Sequence, residues 1–365
     1  MSLNAHLIKE EEKERYNQFV SGHEKGHILQ SYEWGEIKGE GNWQPLRLVL
    51  EEEGTIIAAI SILKRSIPMG RSIFYAPRGP VLDIKNRTVL SFLLSEVKKL
   101  AQIHKAIYLK IDPDVLIDDQ DWQRALAEHH FQKASSEAGF EGVQPRFVFR
   151  LDIRPDEETL LANLHQKTRY NLKLARRKGV TIDDSANREK LPEFYALLKE
   201  TAERDRFLIR SYRYFEDMYD YLVPKGLGHL FLGYYEGKMI AGTFLFKYGE
   251  KAWYIYGASS NQYRNVMPNY LIQWEMILWS QARGCAMYDF RGVPGHLTEE
   301  NPLYGLYKFK KGFNGDYCEF IGEYDLIYQP FFYKMYQTFE PMYYVGVRKL
   351  IRMKKKLKSG LGRGK

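Results

Sequence analysis

The sequence predicts an α/β protein made of two tandem copies of one domain, and two observations carry that expectation. The first is an internal repeat. GTIIAAISIL (54–63), SIFYAPRGPV (72–81), TVLSFLLSEVKKLAQIHKA (88–106) and IYLKID (107–112) are followed by GKMIAGTFLF (237–246), AWYIYGASS (252–260), NYLIQWEMILWSQARGCA (269–286) and MYDFRG (287–292). Gly54 pairs with Gly237, Tyr75 with Tyr256 and Tyr108 with Tyr288, at spacings of 183, 181 and 180 residues. The second is size and composition: 365 residues, 44% hydrophobic and 27% charged, is the balance of a soluble globular chain of about two domains.

Each copy reads strand, strand, long helix, strand. The strands are rich in Ile, Tyr and Phe, and Leu90, Leu93, Leu94, Val97 and Leu100 recur at helical spacing in the first helix. A helix that returns the chain to a strand beside its predecessor implies a mixed sheet in each half. A boundary is expected near Pro145, ahead of the strand FVFRLDI (147–153). The segment 324–344 is too aromatic for a loose linker and is expected to carry the chain back to the first domain. The expected domains are therefore 1–146 together with about 331–365, and 147–330.

Composition also excludes. No apolar run reaches the ~20 residues of a membrane-spanning helix, and the amino terminus has no apolar signal region. Cys285 and Cys318 are too few and too far apart for a disulfide framework or a thiolate zinc site. His129 and His130 are the only adjacent histidines and lack ligand spacing, so no metal is expected. A cytoplasmic protein follows. The net charge of +8 is local: residues 348–365 hold nine basic side chains and no acid, which exceeds the whole surplus. Val347, Leu350, Ile351 and Leu357 lie among those lysines roughly on one helical face. Such a tail suits an RNA backbone or an anionic membrane face, which would make the protein peripheral at the membrane.

A second basic feature is TLLANLHQKTRYNLKLARRKG (159–179). It has six basic residues between Lys167 and Lys178, no acid among them, an interrupted apolar stripe of Leu160, Leu164, Tyr170 and Leu174, and Gly179 as a helix stop. A solvated face usually mixes signs, so a single-signed one favours an anionic partner. Lys167, Arg169, Lys173, Arg176 and Arg177, with Lys354, Lys355 and Lys356 of the tail, are the candidate tRNA contacts.

The repeated unit resembles the GNAT (Gcn5-related N-acyltransferase) fold. That fold binds the pyrophosphate of acetyl-CoA on a glycine-containing loop ahead of its long helix, so that backbone N–H groups can approach the phosphates. The equivalent stretches, 262–269 and 83–87, contain no glycine. The fold implies acyl transfer and the loop implies a donor other than acetyl-CoA. Ser260 or Asn269 is the expected cap of the second long helix.

The motifs HQKTRYNLKLARRKGV (165–180), QSYEWGEIK (30–38), IDPDV (111–115), RDRFLIRSYRYF (204–215), YIYGASS (254–260) and GLYKFKKGF (305–313) together resemble the FemABX family of peptidoglycan-bridge aminoacyltransferases. The resemblance implies two tandem GNAT-like domains and transfer of an amino acid from aminoacyl-tRNA, as co-substrate, to an amine of a muramyl peptide. No cofactor is implied, and a monomer is expected. Carried over residue by residue, it implies that Lys38, Arg210 and Tyr214 grip the nucleotide-linked precursor, Arg210 and Tyr214 being one helical turn apart. Tyr256 is a further substrate contact, with Tyr254 on the same strand face as the alternative. Asp112 lies near the acceptor amine as a candidate base or a sheet-end structural residue. Phe309 and Lys310 are the catalytic pair: Lys310 would stabilise a tetrahedral oxyanion and Phe309 would shape the donor pocket. Lys308 and Lys311 flank Lys310, so the inward lysine is not fixed by sequence.

No Ser–His–Asp or Cys–His constellation stands out, which agrees with direct attack on an already activated ester. Only about 25 residues separate Gly179 from Arg204, too few for the helical-hairpin arm of members acting on lipid-linked precursor. That favours soluble UDP-MurNAc-pentapeptide as acceptor, against the membrane role open to the basic tail. Asn314 stands where the motif expects a glycine. The rival readings are a GNAT-type N-acyltransferase with another activated donor on a non-peptidoglycan amine, and a binding protein on a degenerate acyltransferase scaffold.

Overall fold

The computed structural model describes residues 3–134, 142–185, 187–295 and 298–339. They form two mixed sheets. The first runs β1 (Leu3–Leu7), β2 (Gln44–Glu52), β3 (Thr55–Ile67), β4 (Arg71–Ala76), β6 (Ala106–Ile111), β15 (Tyr324–Ile327) and β7 (Gln132–Lys133), with β5 (Val81–Leu82) on β3. The second runs β9 (Thr181–Asp183), β10 (Gly228–Tyr235), β11 (Lys238–Tyr248), β12 (Lys251–Ser259), β13 (Met287–Gly292), β8 (Phe147–Asp152) and β14 (Asp316–Glu319). The helices are α1 (Lys13–Gly22), α2 (Tyr32–Gly39), α3 (Arg87–Ile103), α4 (Gln120–Glu128), α5 (Glu157–Asn163), α6 (Gln166–Lys178), α7 (Leu191–Asp205), α8 (Tyr212–Leu222), α9 (Pro268–Gln281) and α10 (Tyr304–Lys311).

The sheets repeat one another. β3 is antiparallel to β4, α3 crosses over, and β6 returns parallel to β4. β11, β12, α9 and β13 do the same. The two halves are therefore GNAT-like units in tandem. Leu90, Leu93, Leu94 and Val97 of α3 are buried on the first sheet, and Asn86 caps that helix by accepting from the Val89 N–H at 3.1 Å. The cap expected on α9 is not made: its N-cap position is Met267, in the left-handed region, with Pro268 as first helical residue and no side-chain cap.

Each sheet is completed by a strand that follows the other unit. β8 leaves the first unit and pairs with β13 in the second sheet. β15 leaves the second unit and pairs with β6 and β7 in the first. The return to the first unit thus comes at Tyr324, ahead of the expected boundary after residue 330. Its cause is local charge and aromatic packing: Lys110 of β6 pairs with Glu323 at 2.9 Å and Asp325 at 3.0 Å. Tyr333 then packs edge-on against Tyr108 and Tyr336 packs tilted against it, at 5.3 and 6.2 Å between ring centroids.

Three cores result. One lies under α3 and α4 on the first sheet, and one lies under α6 and α9 on the second. The third joins the units, with α1 and α2 packed on α7, α8, β11 and β12; it includes Trp34 against Phe246 and His27 against Trp253. Through this third core the amino-terminal segment reaches the second unit.

The basic segment is two helices rather than one, because Leu164 and His165 break it between α5 and α6. Gly179 ends α6 at φ +86°. The buried face of α6 is Thr168, Asn171, Leu172 and Ala175. Tyr170 points outward at 58% exposure, and Leu174 is half-buried, so the expected apolar stripe is displaced. The small, polar residues on that face permit close packing: a Cβ on Gly312 of the α10 end would lie 2.3 Å from Thr168 Oγ1.

Candidate active site

The two units differ where their last two strands meet. In the first, β4 and β6 stay paired to their final residues, Ala76 with Ile111. In the second, β12 and β13 pair only over 251–253 with 287–289. Both strands then carry a bulge. On β12, Tyr254 faces Leu245 and Tyr256 faces Phe244, with Ile255 extra. On β13, Asp289 faces Arg150 and Gly292 faces Val148, so Phe290 and Arg291 share one partner position. Bulges bend strands and re-aim side chains. The two strands part here, and the candidate residues gather around the opening.

α10 supplies Lys310. Tyr307 packs on Phe149 and Phe309 on Tyr270, and between them the Lys310 position turns inward, at 4% exposure. Lys308 and Lys311 are exposed. Lys310 Nζ donates to the Gly292 carbonyl at 2.8 Å and lies 5.7 Å from the Tyr254 ring. Burial, partly offset by Asp289 and reinforced by Arg291, lowers its pKa to about 7. A lysine so placed can hold or release a proton near neutrality while staying fixed. Asn314, at φ +63°, takes the left-handed turn after α10 that the motif assigns to glycine.

The β12 bulge separates the two tyrosines that sequence places on one face. Tyr254 packs into the second unit's core beside Lys310. Tyr256 packs on Phe215 of α8, ring centroids 5.0 Å apart. Gly257 makes room for Tyr254: a Cβ there would lie 1.7 Å from the Tyr254 hydroxyl.

Beyond Tyr256 lies a cluster drawn from both units. Lys38, in the last turn of α2, donates to the Tyr214 hydroxyl at 3.2 Å and sits over the rings of Trp34 and Tyr214 at 4.7 and 4.9 Å. Arg210 lies 5.7 Å from the Tyr214 ring, and the Tyr214 and Tyr256 hydroxyls interact. Burial, then the charge of Arg210, brings Lys38 down to about 8. Neither cation has a carboxylate partner among the described residues, so the pair suits a phosphate group.

Asp112 directly follows β6, 2% exposed. Its Oδ2 accepts from the Tyr75 hydroxyl at 2.6 Å and its Oδ1 from the Arg78 N–H at 2.7 Å. Burial raises it to about 6 against the opposing charge of Arg78. With both oxygens occupied, Asp112 anchors a hydrogen-bonded chain rather than facing an open gap. Gln144 Nε2 donates to Tyr75 at 3.4 Å, and Arg291 Nη2 donates to Gln144 Oε1 at 2.7 Å. Arg291 is the residue sequence reasoning missed. It stands next to Gly292, whose carbonyl holds Lys310, and interacts electrostatically with Tyr256, Asp112 and Lys310. Its only sequence signal was its position at the end of the second copy's last strand.

The α6 residues divide by role. Arg169 donates to the Leu164 carbonyl at 2.8 Å and to that of Ala162, closing the α5 carboxyl end. Arg176 pairs with Glu275 of α9 at 3.0 Å. Lys167, Lys173 and Arg177 are exposed and have no ion pair among the described residues. The His165 N–H donates to the Gly312 carbonyl at 3.0 Å, tying α6 to the end of α10. Lys354, Lys355 and Lys356 lie outside the described residues. No helix among the described residues is long and apolar enough to cross a membrane.

The FemAB family profile matches residues 11–226 and 233–341. The chain belongs to the FemAB family. Among its relatives are the Lipid II:glycine glycyltransferases of Staphylococcus saprophyticus subsp. saprophyticus, 29% identical over 93% of this chain and 98% of that protein, and of Staphylococcus aureus, 28% identical over 90% and 94%. The first alignment spans 409 positions, more than the 365 residues of this FemAB-family chain, so the staphylococcal protein carries inserted residues that are absent here. In agreement, α7 and α8 are joined by residues 206–211 without a helical-hairpin arm. The crystal structure of FemX superposes with a TM-score of 0.84 at 27% identity, over 92% of this chain and all of that one. A tandem GNAT protein from the clavulanic acid biosynthesis pathway, 11% identical with a TM-score of 0.54 over 89% of this chain and 98% of its own, shares the fold.

Proposed function

We propose that this FemAB-family chain is an aminoacyltransferase that moves an amino acid from aminoacyl-tRNA to an amine of a peptidoglycan-precursor muramyl peptide. The observation that carries the reading is the buried lysine at the opening between β12 and β13, with an acid-free cation cluster beyond Tyr256. Relatives that act on Lipid II, by name, support the acceptor class.

The acceptor phosphates sit at Lys38, Arg210 and Tyr214, and the peptide stem runs past Tyr256 toward Lys310. The neutral amine attacks the ester carbonyl, and a C–N bond forms as the carbonyl π electrons move to oxygen. Lys310, as ammonium, donates to that oxyanion. Collapse breaks the ester C–O bond, and the proton lost by the amine ends on the 3′-terminal ribose oxygen of the tRNA. The ester is already activated, so positioning supplies much of the rate. The exposed Lys167, Lys173 and Arg177 of α6, a helix bonded to the α10 end, support a tRNA backbone lying on that side. Asp112 acts through Tyr75 and Gln144 as a positioning residue.

The test offers purified protein tRNA charged with a labelled amino-acid mixture, together with UDP-MurNAc-pentapeptide or lipid-linked precursor in separate reactions. RNase-resistant label in either acceptor is expected, and the arm-less chain favours the soluble one. Intact charged tRNA with no transfer to either would overturn the reading in favour of another acyl donor.

A further inference from the structure

We infer that Arg291 is a carboxylate-binding subsite for the acceptor peptide, set between the phosphate cluster and Lys310. The inference rests on the reading above and adds to it a ligand group and the residue that holds it.

The first argument is an unmatched charge. Two carboxylates lie near Arg291, and neither forms an ion pair with its guanidinium among the described residues. Asp289 accepts at Oδ2 from Arg150 Nε at 3.0 Å and at Oδ1 from the Arg291 backbone N–H at 2.6 Å. Asp112 is held by Tyr75 and the Arg78 N–H. Arg291 has no ion pair among the described residues, and the hydrogen bond its guanidinium makes there goes to a neutral amide oxygen, Gln144 Oε1, at 2.7 Å. A guanidinium recessed in protein without a counterion is costly unless an anion arrives.

The second argument is aim. Arg291 occupies the β13 bulge at φ +60°, a left-handed backbone that side chains other than glycine and asparagine rarely adopt. From that strained turn at the opening the side chain reaches Gln144, ahead of β8. The residue is half-buried, and among the described residues Gln144 engages a single nitrogen of its guanidinium, Nη2. A planar guanidinium with further N–H donors to offer suits a carboxylate.

The third argument is position. Arg291 adjoins Gly292, whose carbonyl holds Lys310, and its charge acts on Tyr256, the tyrosine beside the phosphate cluster. An acceptor whose phosphates sit at Lys38 and whose amine reaches Lys310 must pass it. A peptide passing there offers two kinds of carboxylate: its free C-terminus and any glutamyl side chain.

The experiment titrates UDP-MurNAc-pentapeptide into the full-length protein without tRNA, using the parent, Arg291→Gln and Arg291→Lys. Two further acceptors, one with an amidated C-terminus and one with an amidated glutamyl carboxyl, are titrated into the same proteins. Arg291→Gln should weaken binding about tenfold or more. One of the two amides should cost the parent a similar factor and cost Arg291→Gln nothing further, which names the carboxylate without changing the protein. Equal binding by parent and Arg291→Gln would overturn the inference. So would an Arg291→Gln enzyme whose kcat falls while its acceptor KM stays fixed, because the charge would then serve the oxyanion. A folded parent that binds no acceptor overturns the proposed function itself, a result distinct from either.

Discussion

Lys310 Nζ is fixed 2.8 Å from the carbonyl of Gly292 at the point where β13 has left β12. A buried lysine held to a main-chain oxygen costs stability in return for a defined cation, and the cost can be measured. Its pKa lies near 7 against an ordinary 10.5, through burial. Between those values the unfolded chain binds a proton that the folded chain does not, so stability from this group rises with pH across the window. Lys310→Met should be inactive yet more stable than the parent at pH 7, by roughly 2–4 kcal/mol, with the difference shrinking toward pH 10. Denaturant titrations at the two pH values test it. If the ammonium form assists the oxyanion, parent turnover at saturating acceptor should also fall as pH rises through about 7.

The phosphate cluster makes a separate pH claim. Lys38 titrates near 8 because it is buried beside Arg210, and only its protonated form attracts phosphate. Affinity for UDP-MurNAc-pentapeptide should fall several-fold between pH 7 and 9 in calorimetric titrations, and Lys38→Arg should flatten the dependence. Lys38→Ala should raise the acceptor KM about 10–100-fold with kcat little changed, the pattern of lost uniform binding.

Asp112 has the opposite sign to a paired acid. Burial raises it to about 6 from 3.8, so the folded chain binds the extra proton and stability from this group falls as pH rises from 4 to 6. Asp112→Asn should remove that slope in thermal melts across the range. Tyr75→Phe, which deletes a 2.6 Å donor to a buried carboxylate, should cost about 1–3 kcal/mol at pH 7.

Gly257 is a steric prediction. A methyl at this position would occupy the space of the Tyr254 hydroxyl, 1.7 Å away. Gly257→Ala should destabilise by about 1–3 kcal/mol and lower kcat by displacing Tyr254 from Lys310. Pairing it with Tyr254→Phe should restore part of the stability.

On α6, the double change Lys173→Glu with Arg177→Glu should weaken tRNA binding about tenfold at 0.1 M salt and flatten the salt dependence. Filter binding over a salt series measures both. Arg169→Ala should leave the salt slope nearly unchanged and cost about 1–3 kcal/mol of stability, because it uncaps the α5 carbonyls.

The duplication was readable because its landmarks are local: Gly54 and Gly237 are turn glycines at φ +78° and +73°, and Leu90 to Val97 keep a helical period. Lys38, Arg210, Tyr214 and Tyr256 were found by motif, yet their meeting depends on α1 and α2 packing across to α8, which no periodicity announces. The choice of Lys310 over its neighbours needed the packing of Tyr307 on Phe149 and of Phe309 on Tyr270. Arg291 and the split between Tyr254 and Tyr256 both arise from bulges, which shift a face by one residue and leave no mark in an alternating pattern. The return of 324–344 was legible, but not its opening as a strand, because four residues, YDLI, carry too little alternation; the pairing is set by Lys110, far away in sequence.

The exchange of β8 and β15 bears on how the protein is made. A ribosome releases the first unit long before residue 327, so the outer edge of β6 waits with its backbone groups unpaired while the whole second unit is synthesised. The second sheet suffers no such delay, because β8 has already emerged before any of its partners. Nascent chains stalled between residues 150 and 320 therefore carry an open strand edge, the kind that recruits chaperones or a neighbouring chain. The last strand to emerge closes the sheet that began first.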